Sequence, residues 1–130
     1  MTIDSETFTI TNTTMSTLPS VPFGAIKEAS LGKKYSLSLV FIGHKKSRTL
    51  NKSYRGKDKS TNILSFSYEK NEGEIFINLN KARKEAVHFG RKFQNYISFL
   101  FIHGLMHLKG MRHGSTMERA EIKLRKRFHI

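Results

Sequence analysis

The stretch Phe93 to His113, FQNYISFLFIHGLMHLKGMRH, decides the fold. Phe93, Tyr96, Ile97, Leu100, Phe101, Leu105 and Leu108 recur at helical spacing and cover most of a helix's circumference. The segment as far as Lys109 therefore reads as one long helix, the most buried element of the chain. His103 and His107 continue the row of Tyr96 and Leu100, on its buried side. Two polar rings there are costly unless hydrogen-bonded or bound to metal. Four residues apart, they project from one face and can share one ion. Gly110 follows, where glycine accepts the left-handed backbone that ends a helix, and the reversal brings His113 back as a third ligand. The bland reading is three unrelated histidines. Helix pair, glycine stop and return histidine, however, come in the order that a three-ligand site requires.

The spacing H-x-x-x-H-x-x-G-x-x-H is also the ligand framework of the metzincin proteases, less one residue. Their general base is the glutamate after the first histidine, and Gly104 stands there in this chain, which argues against a peptidase. Cysteine is absent, so a zinc site must use histidine with carboxylate or water.

Beyond His113, Ser115 or Thr116 can cap a last amphipathic helix with Met117, Ala120, Ile122, Leu124 and Phe128 inward. Before Phe93, Asn80 can cap a helix over Lys81 to Phe89, with Ala82, Ala86, Val87 and Phe89 inward and His88 at the surface. Ile63 to Tyr68 and Glu74 to Leu79 read as strands joined through Asn71-Glu72-Gly73, a connection short enough to make them antiparallel. Tyr35 to Gly43 turns continuously apolar, as a strand in the middle of a sheet does, and Thr7 to Asn12 alternates as a half-buried one. Pro22 opens a short helix with Phe23, Ile26 and Ala29 inward, and His44 to Arg55 is a basic helix with Leu50 and Tyr54 as its buried side. The prediction is an α+β fold over residues 1–130 as a single domain. A mixed four-stranded β-sheet packs with about five helices, and the metal site lies at the end of the long central helix.

The chain carries 23 Lys+Arg against 10 Asp+Glu, a formal charge of +13. That excess suits a polyanion, with nucleic acid or a ribosomal particle as first candidate. A membrane is the weaker partner, since no apolar run approaches the roughly 20 residues that span a bilayer. The basic run continues into Asn51 to Asn62, polar and turn-forming, directly before an apolar strand. A basic loop at the mouth of a sheet suits an anion, and an arginine's planar fork suits phosphate. No targeting segment is read in the first twenty residues, and a cytoplasmic location is expected.

Leu50 to Phe66, LNKSYRGKDKSTNILSF, and His103 to His113 closely resemble the two signature stretches of the YbeY endoribonucleases, over about residues 7 to 128. The resemblance implies a zinc-dependent, single-strand-specific endoribonuclease acting in ribosomal RNA maturation, at 16S-type 3′ ends, and in ribosome quality control. It implies one Zn2+ per chain on His103, His107 and His113, and a functional arginine at Arg55. Gly73-Glu74 falls where the family has Gly-Asp, and Met117 and Glu121 look like its late methionine and glutamate. Lys52, Lys57, Lys59 and Arg112 are the candidate RNA contacts, and the expected partner is ribosomal RNA or the small ribosomal subunit, met by a monomer. The chain departs from the family at Ser60, commonly proline, at Asn62, often aspartate, and at Arg112, usually aspartate. The last puts a cation beside the metal and removes a carboxylate that would orient a ligand. The alternatives are a metal-stabilised RNA- or ribosome-binding factor with little catalysis and, behind it, a metallopeptidase.

Overall fold

The structure, a computed structural model, describes residues 2–4 and 7–130. Alternation along the strands sets the sheet. Leu37, Leu39 and Phe41 of β3 (Ser36–Ile42) and Gly73, Ile75 and Ile77 of β5 (Glu72–Asn78) are buried on one face. The two strands run parallel, with Leu39 opposite Ile75. β2 (Phe8–Asn12) is parallel to β3 on its other side, and β4 (Ile63–Glu69) is antiparallel to β5. These are the four strands the sequence predicts, in a mixed sheet with β3 central. A further short strand, β1 (Thr2–Asp4), adds antiparallel to β2, so the order is β1-β2-β3-β5-β4.

Five helices accompany the sheet: α1 (Phe23–Leu31), α2 (His44–Arg55), α3 (Leu79–His88), α4 (Phe93–Leu108) and α5 (Ser115–Arg127). α4 packs on β4 and β5 and is flanked by α1, α3 and α5, as its all-round apolar pattern requires. Phe101 meets Phe23 edge-on at 5.2 Å and stacks with Phe8 at 6.4 Å. At Gly104 the helix touches the sheet: a Cβ there would lie 2.9 Å from Ile63 Cδ1, 3.0 Å from Ser65 Oγ and 3.1 Å from Ile75 Cδ1. That close approach sets the height of the two neighbouring histidines over β4.

Several local expectations are corrected. Asn78, not Asn80, caps α3, its side chain accepting from the Lys81 N–H at 3.2 Å, because β5 runs straight into the helix. The inward row of α3 is then Leu79, Ala82 and Ala86, which turns Val87 and Phe89 out to solvent. Neither Ser115 nor Thr116 caps α5; its N-cap is Gly114, with no side-chain hydrogen bond, and Ile122 faces outward. The β4–β5 turn is Lys70-Asn71, since β5 already begins at Glu72, and a bulge between Ser67 and Glu69 absorbs the offset. α1 buries Lys27, whose Nζ donates to Thr7 Oγ1 and the Lys33 carbonyl, where burial lowers its pKa.

The correction with most consequence is α2. Its buried side is Ser47 and Asn51, while Tyr54 is two-thirds exposed, its ring 5.0 Å from that of Phe66. Ser47 Oγ donates to the Thr61 carbonyl at 2.7 Å and accepts from the Thr61 N–H at 2.9 Å; Asn51 Nδ2 donates to the Lys59 carbonyl at 2.8 Å. The helix is polar inside because it packs on loop backbone, whose buried N–H and C=O groups need partners. It thereby fixes the loop that leads into β4.

Candidate metal centre

Each histidine is placed by a different backbone device. His103 and His107 sit in the last turns of α4, on the side facing β4. Beyond them the Gly110 N–H donates to the His107 carbonyl and the Met111 N–H to that of Met106, with Gly110 at φ +88°. This paired closure is the Schellman ending, and it turns His113 back over the helix. The ring centroids of the three imidazoles are 4.6, 4.7 and 5.1 Å apart, and one ligand atom from each lies within 4.8 Å of the others.

The donor set fits a divalent ion of the zinc type. His103 Nε2 and His107 Nε2 are 3.1 Å apart. Two nitrogens on a tetrahedral zinc, each at about 2.0–2.1 Å, stand roughly 3.3 Å apart, so this pair could share one ion, with a His113 nitrogen within 4.8 Å of both. Glu121 Oε2 lies 3.2 Å from His103 Nδ1, and since a carboxylate only accepts, that nitrogen carries the proton and Nε2 is left with its lone pair. Among the described residues no fourth side chain joins the three histidines, and all three line one cavity.

Burial holds His107 below the usual imidazole pKa, and any charge on His103 or His113 depresses it further; a hydrogen bond with the Met111 backbone works the other way. A depressed folded-state pKa means that the unfolded chain binds the proton first. In metal-free protein this contribution is fully present above the ordinary value of 6.5 and is lost as pH falls through and below it. Urea midpoints of metal-free protein should drop between pH 7.5 and 5.5, and drop less in His107→Gln. Equal drops in the two proteins would contradict the assignment to His107.

The triad opens into a cavity of about 560 Å³ lined by His103, His107, His113, Arg55 and the consecutive residues Thr61 to Phe66. Arg55 is the last residue of α2, and Gly56, at φ +68°, stops the helix behind it. β4 is an edge strand, so its free backbone edge is available along this wall. Among the described residues no carboxylate lines the cavity. Lys57 and Lys59, with Arg55 and Lys81, line an adjoining depression of about 260 Å³. Lys52 and Arg112 line neither; Lys52 faces Asp58 at 4.0 Å, and Arg112 is exposed on the turn after α4.

The other departures from the family pattern have local partners. Asn62 Nδ2 donates to Glu85 Oε1 at 2.9 Å, a contact that an aspartate could make only as like-charge repulsion. Tyr96 donates to the same oxygen at 2.8 Å, and burial together with that carboxylate pushes its hydroxyl up to about 12. Ser60 is buried with its Oγ 3.1 Å from His44 Nε2. Sequence periodicity did not single out Glu85; Glu121 was named through the resemblance, as the family's late glutamate, but its contact with His103 was not foreseen.

Fold and site define an α+β protein in which three histidines at the end of the central helix could hold one metal ion. The chain belongs to the YbeY family: the model described as Endoribonuclease YbeY matches residues 2–129. Two relatives named Endoribonuclease YbeY illustrate the similarity. That of Neorickettsia sennetsu is 39% identical over 93 residues, covering 67% of this chain and 65% of its own length. That of Geobacillus kaustophilus is 32% identical over 116 residues, covering 78% and 68%. The chain thus spans about two thirds of the length of these relatives. The solution structure of TM1509 from Thermotoga maritima shares the fold, with a TM-score of 0.60 at 23% identity over 78% of this chain and 75% of that one. No helix among the described residues is long and apolar enough to cross a membrane.

Proposed function

We propose that the chain is a zinc-dependent endoribonuclease for single-stranded RNA, working in ribosomal RNA maturation. The observation that carries this reading is the shared cavity: Arg55 and three metal-competent histidines face one space of about 560 Å³ in a chain of charge +13. A divalent ion held by three neutral imidazoles supplies Lewis-acid charge for a phosphodiester oxygen. Arg55 offers a planar, permanently charged fork to the same phosphate and neutralises charge as it develops. The Schellman turn and the close approach at Gly104 fix the backbone that carries the imidazoles, which would hold the ion. Lys57 and Lys59 supply salt-dependent attraction to the backbone of the strand.

Among the described residues no carboxylate lines the cavity to serve as general base, and the nucleophile would be a water or the RNA's own 2′-hydroxyl. Products ending in a 2′,3′-cyclic phosphate would identify the second. Arg55→Ala should lower kcat on single-stranded ribosomal RNA by about 100-fold or more, the usual loss for one preorganised charge donor, with a smaller change in KM. A variant that cleaves at the wild-type rate would remove Arg55 from the mechanism. RNA that binds but stays intact, alike with wild type and Arg55→Ala, would favour the binding-factor reading instead.

A further inference from the structure

We propose that Glu121 is the positioning residue of the metal centre, fixing the tautomer and orientation of His103 through its Nδ1. The inference rests on the reading of the triad as a metal site and is independent of the nuclease reading. α5 packs on α4 and α1 through Met117 and Leu124, both buried, and Glu121 lies between them on the same inward row. Its side chain is only 12% exposed. A carboxylate in an apolar row is costly without a partner. Among the described residues it makes one hydrogen bond, accepting at Oε2 from His103 Nδ1–H at 3.2 Å.

The direction of that bond matters more than its strength. A free neutral imidazole carries its proton on either nitrogen, and only one tautomer presents a lone pair at Nε2. Glu121 holds the proton on Nδ1, so Nε2, which faces His107 Nε2 at 3.1 Å, is kept free to ligate. Glu121 lines a second cavity of about 500 Å³, which shares His103 and His113 with the first, whereas Arg55 lines only the first of the two. The carboxylate is placed to orient a ligand, not to be one. Arg112, beside the third histidine in sequence, is exposed and lines neither cavity, so the carboxylate in contact with the triad is the one from α5.

The test reads metal-free and zinc-bound protein separately. Long-range 1H–15N correlation of the imidazoles in metal-free wild type should show His103 protonated on Nδ1. Glu121→Ala should shift it toward the Nε2–H form and weaken zinc binding by about 10–100-fold, the usual effect of losing an outer partner of a ligand histidine. Glu121→Gln, whose amide oxygen still accepts from Nδ1–H, should keep the tautomer and lose less affinity. Thermal unfolding of the metal-free variants controls for a purely structural role, which would lower Tm without moving the tautomer. An unchanged His103 tautomer in Glu121→Ala, or a zinc Kd within threefold of wild type, would overturn the proposal. Wild-type protein that binds no zinc would overturn the metal reading itself, whatever its nuclease activity.

Discussion

Gly104→Glu, the substitution that writes the metzincin base into this helix, should unfold the protein and leave no peptidase behind. A Cβ at this position already comes within 2.9–3.1 Å of Ile63, Ser65 and Ile75, and the glutamate's remaining atoms would have to enter the buried contact between α4 and β4. Overpacking of a tight core costs about 1–3 kcal/mol, and burying an unpaired carboxylate adds several more, so the loss should exceed about 4 kcal/mol. That is comparable with the whole stability of a small domain. Chemical denaturation checks it. A stable, zinc-binding Gly104→Glu protein would mean that the side chain escapes into the cavity that Ile63 and Ser65 line, and would contradict the overpacking expected here.

His107→Ala is the second large effect, and it separates metal from fold. In metal-free protein the ring contributes a 3.1 Å contact with His103 and partial burial, so its loss should cost only about 1 kcal/mol. Zinc affinity should collapse. Losing an outer partner of a ligand typically costs about 10–100-fold, and losing one of three ligands must cost more, on the order of 1000-fold or beyond. Competition titration against a chromophoric chelator measures it. Zinc bound by His107→Ala within tenfold of wild type would remove this residue from the ligand set.

The histidine site was legible in the sequence because everything that builds it is local. His103 and His107 are related by one helical turn, Gly110 ends that helix, and His113 follows within three residues. Arg55 was legible at one remove, through a basic loop ahead of an apolar strand and through the resemblance of Leu50 to Phe66. What escaped depends on partners far along the chain. Ser47 and Asn51 look like solvated residues until the loop at Thr61 and Lys59 supplies buried backbone for them to satisfy. Apolar pattern points to Leu50 and Tyr54 instead, because periodicity assumes an apolar partner surface. Val87 and Phe89 read as core for the same reason, yet the inward face of α3 was already settled by Leu79, Ala82 and Ala86. Glu121 was marked by the resemblance alone, and its contact with His103 became visible only once α5 was placed on α4.

The central claim is that one ion on three histidines, sharing a cavity with Arg55, cuts single-stranded RNA. Its most direct test is to strip the protein of metal, add zinc in fractions of an equivalent, and follow cleavage of an end-labelled single-stranded ribosomal RNA fragment beside His103→Ala. The account predicts no cleavage without metal, a rise that ends at one zinc per chain, and none at any ratio with the variant. Cleavage that persists in stripped protein, or that His103→Ala supports equally, would contradict it.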